Sequence, residues 1–153
     1  MEAKKNGVLK SKSTEGFSDF EKEAMRDRAK ELRAEAKLNK NKELGEKDVL
    51  SAIDAMTGSD KTMAKQVHSI MKETAPNLLP KTWYGMPAYA NKEGKVICFF
   101  KAAVKYESRY ATFGFNDTAN IDEGNMFATS FGLIEITKAE ESKIIELVKK
   151  AVS

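Results

Sequence analysis

The sequence predicts an α+β fold: an antiparallel sheet of about five strands with helices packed on one face, N-terminal helices first and one C-terminal helix. Three observations lead there. Up to Pro80, apolar residues recur at helical spacing. Beyond Pro80, β-branched and aromatic residues gather in short runs separated by glycine-containing turns. The last segment returns to helical spacing behind a capping pattern. At 153 residues the chain is long enough to bury a core as one domain.

Each element has its own signature. Residues 1–16 are rich in Lys, Ser and Gly without periodicity, and are expected to be a disordered basic tail. Ser18 and Glu21 in SDFE form a capping box that starts a helix running to about Leu38. Its apolar stripe is thin (Phe20, Ala24 or Met25, Ala29, Leu32, Ala36), as in a helix that packs lightly or protrudes. Residues 17–44 are therefore a charged helical extension of a single domain spanning 17–153. NKNKELGEK, residues 39–47, reads as a polar linker. Val49, Leu50, Ile53 and Met56 mark a short second helix over 46–56. Ser59 is the expected N-cap of a third, which carries Met63, Val67, Ile70 and Met71 and ends before Pro76. Strands are expected near 81–84, 87–91, 95–104, 109–115 and 130–136, with NKEGK at 91–95 as a hairpin turn. TKAE at 137–140 is a second capping box, opening a helix over 138–151.

Composition excludes several function classes. No apolar run is long enough to span a bilayer, and the N-terminus lacks a signal-peptide core, so a cytoplasmic location is expected. Cys98 is the only cysteine, which excludes an intrachain disulfide and any multi-cysteine metal site. The net charge of +3 sits in residues 1–44, with 12 basic and 9 acidic side chains; the rest is balanced at 14 and 14. Contact with nucleic acid is accordingly expected to be weak and confined to the tail.

Few residues carry chemistry. Cys98 lies in the apolar run KVICFF and reads as an inert core thiol. His68, the one histidine, is expected at the border of an apolar stripe, half exposed. No phosphate-binding glycine loop, dinucleotide fingerprint or zinc-protease motif occurs. Metal ligation would rest on Asp117, Asp122 and Glu123 in the loop FNDTANIDEGN, whose oxygens suit hard cations, ferric iron included. The same residue types are also ordinary loop formers.

The densest cluster is KTWYGMPAY, residues 81–89. Trp83, Tyr84 and Tyr89 each offer a buriable ring and a polar tip. Burial of one such side chain is worth roughly 1.5–3 kcal/mol. Pro87 suits an edge strand, and Gly85 allows a bend just before it. Trp83, Tyr84, Met86 and Tyr89, with Arg109 nearby, are the candidate walls of a ligand groove; packing of core and edge is the competing reading.

WYGMPAY, GKVICFF, RYATFGF and FGLIEIT, followed by a Lys-rich helix, closely resemble the YdhG-like domain of unknown function. With helices 46–74 included, the resemblance covers about two-thirds of the chain. It implies an α+β domain. Some members are labelled frataxin-like intracellular iron chaperones, which implies iron as cargo. The functional expectation is a non-enzymatic binding protein for a small ligand or a protein partner, with a homodimer allowed. An enzyme of unassigned chemistry, using His68 or Arg109, is the alternative.

Overall fold

A computed structural model describes residue 16 and residues 18–153. The rest of the expected basic tail lies outside the described residues. The chain divides into two compact units between Asn39 and Lys40. In the first, the Ser18 hydroxyl accepts from the Glu21 N–H, and Glu21 accepts from the Ser18 N–H in return. That is the capping box the sequence announced. Phe20, Met25 and Leu32 are exposed along the helix that follows.

This helix, α1, runs unbroken over Asp19–Asp54, so the linker expected at 39–47 is helical and the two short helices are one. Gly45 is the only strong breaker in that stretch. A single helical glycine costs about 1 kcal/mol, too little to end a helix that gains tertiary packing. A Cβ at Gly45 would collide with the Pro80 carbonyl, so the residue that looks like a linker marks a close approach of helix and strand. α2 spans Gly58–Thr74 with Thr57, not Ser59, in the N-cap position and no side-chain cap bond.

Five strands follow: β1 (Leu79–Trp83), β2 (Met86–Ala90), β3 (Val96–Lys101), β4 (Ala111–Phe115) and β5 (Ser130–Leu133). They pair antiparallel in chain order, β1-β2-β3-β4-β5. Pro87 therefore lies in an interior strand rather than on an edge. The register with β3 begins only at Ala88, so the missing N–H falls before that ladder. The strand expected over 95–104 stops at Lys101, because Asp60 of α2 captures the next turn. Its carboxylate, 3% exposed, accepts from the N–H groups of Ala103 (3.0 Å) and Val104 (2.9 Å). The hairpin at 91–95 forms as expected, with the Asn91 side chain accepting from the Lys95 N–H at 2.9 Å. α3, Lys138–Ala151, opens on the expected capping box of Thr137 and Glu140.

Alternation sorts the strand residues onto two faces. Tyr89, Cys98, Phe100, Phe113 and Leu133 point toward the helices and join Val49, Val67, Met71, Ile144 and Val148 in one core. Helices on one face of an antiparallel sheet make the expected α+β architecture. Within Lys40–Ser153 the other face carries no helix.

Candidate ligand-binding face

The helix-free face is built from two cross-strand rows. One reads Lys81, Ala88, Phe99, Gly114, Ser130 across β1 to β5. In the next, Trp83 stands opposite Met86 on one side of the sheet, and Lys101, Thr112 and Gly132 align on the other. Small residues alternate with rings, and the rings lean over the small residues. Phe99 lies over Gly114 and Tyr110 over Gly132; a Cβ at either glycine would strike the ring. Trp83 meets Phe99 at 5.3 Å between centroids and Tyr84 at 5.0 Å in an edge-to-face arrangement. Tyr84, Trp83 and Phe99 thus form one continuous aromatic strip, with Tyr110 at the far side of the sheet.

The turn that presents Tyr84 is a two-residue hairpin loop. Tyr84 has φ 52° and Gly85 φ 78°, the left-handed pair that a tight hairpin requires. Glycine or asparagine would occupy the first position without strain, yet a tyrosine sits there, 80% exposed. The Tyr106 hydroxyl donates to the Tyr84 carbonyl at 2.6 Å and pins the turn to the loop after β3. The same loop begins at the Asp60 anchor and ends at Arg109, whose guanidinium lies 5.1 Å from the Tyr110 ring.

Charge on this sheet is one-sided. The five strands contain no acidic residue; their only charged side chains are Lys81 and Lys101. Alternation puts both on the open face, beside the aromatic strip. A shallow cleft of about 470 Å³ continues from Lys81 and Trp83 past Lys95, Asn116 and Thr118, with Asp117 at its rim.

The residues of the expected groove are divided between two places. Trp83, Tyr84 and Met86 share the open face or its turn, with Met86 buried at the position opposite Trp83. Arg109 is exposed at the far side. Tyr89 points the other way, into the helix-side core, where its hydroxyl lies 2.9 Å from His68 Nδ1. His68 is 7% exposed rather than half exposed. Its Nε2 lies 3.4 Å from a Glu46 carboxylate oxygen, which also accepts from Lys72 at 2.8 Å. A carboxylate only accepts, so in the neutral ring the proton sits on Nε2 and Nδ1 accepts from the Tyr89 hydroxyl. Both ring nitrogens are engaged, and the histidine serves to join α1, α2 and β2. The Lys72 hydrogen bond, foremost, holds the Glu46 carboxyl below its usual range. Burial pushes the Tyr89 hydroxyl and the Cys98 thiol upward, which leaves Cys98 an un-ionised core residue.

Asp117, Asp122 and Glu123 do not converge. Among the described residues no group of three or more His, Cys, Asp or Glu side chains could hold a metal ion. Glu123 instead lies 3.8 Å from Lys150 on α3. Among the described residues no helix is long and apolar enough to cross a membrane.

Sequence reasoning missed Phe99, Lys101 and the two glycines beneath the rings. Phe99 sits in a run of apolar neighbours where alternation is hidden. The one available signal was the pair Lys81 and Lys101, a lone cation in each of two strands otherwise free of charge. No family model matches the chain, and no curated protein or solved structure matches it.

Proposed function

We propose that the protein is a binding module that takes a planar, π-faced ligand on the open face of its sheet. The observation that carries this reading is the aromatic strip of Tyr84, Trp83 and Phe99, resting on small residues and left uncovered by any helix of Lys40–Ser153. Rings that lean over a neighbouring strand offer a face to solvent, and a flat ligand gains dispersion and quadrupole contact there. Tyr84 extends the strip to an exposed turn, where it takes the left-handed position of a tight hairpin although glycine or asparagine would fit there without strain. Two loosely related ideas divide the remaining support. A YdhG-like assignment rests on the quoted sequence segments. Iron handling, which that resemblance implies, is the weaker reading because the carboxylates it needs lie apart.

The chain has a single tryptophan, so the site carries its own reporter. In a screen of planar heterocycles, including adenosine, the expected result is a set of weak binders that shift the Trp83 indole N–H resonance. Gly114 and Gly132 amide resonances shift with it. Binders that leave those three signals unmoved and perturb the Tyr89–Glu46 region instead would remove this reading.

A further inference from the structure

We infer that the occupant of this face is a single-stranded nucleic acid, an inference that rests on the binding role proposed above. The argument turns on what lies between the rings. A neutral flat molecule needs stacking surface alone, but this face also carries cations. Lys81 shares it with Trp83 and Phe99, Lys101 lies two residues beyond Phe99 with its ammonium 5.5 Å from the Tyr106 ring, and Arg109 stacks on Tyr110. No strand contributes a carboxylate that would repel a phosphate. Alternating π-faces and positive charges match a polymer that alternates bases and phosphates, and base stacking on aromatics tolerates any sequence.

Dimensions agree. Strands about 4.8 Å apart put β1 and β5 about 19 Å apart, the scale on which a sheet of four strands stacks two or three bases. A duplex hides its base faces in its own stack and cannot use the leaning rings. An acidic peptide would use the cations and leave the rings idle. The neutral overall charge of residues 45–153 hides this asymmetry, because the acidic residues balancing it lie outside the strands.

The test uses the full chain and a fluorescently labelled oligothymidylate, read by anisotropy and by quenching of Trp83. Expected is saturable binding with quenching. Phe99→Leu, which keeps an apolar cover over Gly114 but removes the π-face, weakens it about tenfold. Lys81→Gln and Lys101→Gln each lower the magnitude of the log–log salt slope by about 0.7. Both lysines are half-buried and neither belongs to the apolar core, so these variants are expected to fold even if Phe99→Leu does not, and urea midpoints verify this. The inference is overturned if the duplex, polyglutamate or inorganic polyphosphate competes as well as the single strand. It is equally overturned if binding persists unchanged in the lysine variants, which would assign it to the N-terminal lysines. If adenosine shifts Trp83 while the oligonucleotide binds no more tightly, the binding face stands and its nucleic-acid occupant falls.

Discussion

Tyr89 shows how one side chain in a conspicuous cluster can serve a different face from its neighbours. Its ring is almost fully buried, and its hydroxyl partners a nitrogen of a buried histidine. Removing that hydroxyl in Tyr89→Phe leaves Nδ1 of His68 buried without a partner. A destabilisation of about 1–3 kcal/mol is expected, measurable as a lower urea midpoint with an unchanged slope. The Trp83 emission spectrum should stay the same, since Trp83 is on the other side of the sheet. The turn decides this. Residues 83 and 89 are six apart, an even spacing that would put them on one face of a continuous strand; the two-residue turn pairs Trp83 with Met86 and so sends Tyr89, three residues further on, to the other face. His68 was misjudged for a physical reason: periodicity ranks residues by angle around a helix, and it cannot see a tyrosine reaching up from a strand to meet the imidazole.

At the scale of elements, the strands and α3 were readable because their punctuation is local. NKEGK closes a hairpin and TKAE opens a helix with bonds made within a few residues. α1 was not readable as one helix, because what decides it is tertiary. Gly45 looks like a break until Pro80 is placed against it. Gly45→Ala tests this account. In an isolated helix the change would stabilise by about 1 kcal/mol. Here the added methyl meets a backbone carbonyl that cannot rotate away, so a net loss of about 1–3 kcal/mol is expected, seen as a lower thermal midpoint. A gain would mean that helix and strand do not approach as described. The end of β3 follows the same logic: the sequence continues to look strand-like through Val104, but Asp60 offers the backbone better partners than another strand does.

For the whole molecule, Glu46 is a tie-point: it joins α1 to two residues of α2, and through His68 to the sheet. Its carboxyl titrates below the ordinary value of 4.5 when folded, the Lys72 hydrogen bond being the main cause. A depressed carboxyl stabilises the fold at any pH above the unfolded value, and that share fades as pH falls through the folded value. The stability gap between the native chain and Glu46→Gln should therefore be flat above pH 4.5 and narrow in acid. Urea midpoints across that range would show it, and a gap that widens in acid would contradict the assigned hydrogen bond. Asp60 has a wider reach still. From the helix layer it fastens the start of the segment 102–110, whose Tyr106 hydroxyl clasps the Tyr84 carbonyl and whose last ring covers Gly132. That segment works as a guy-rope run through the molecule, with its peg among the helices and its tension felt at the aromatic tip on the far side. Slackening the peg would blur the posture of the very rings that it never touches.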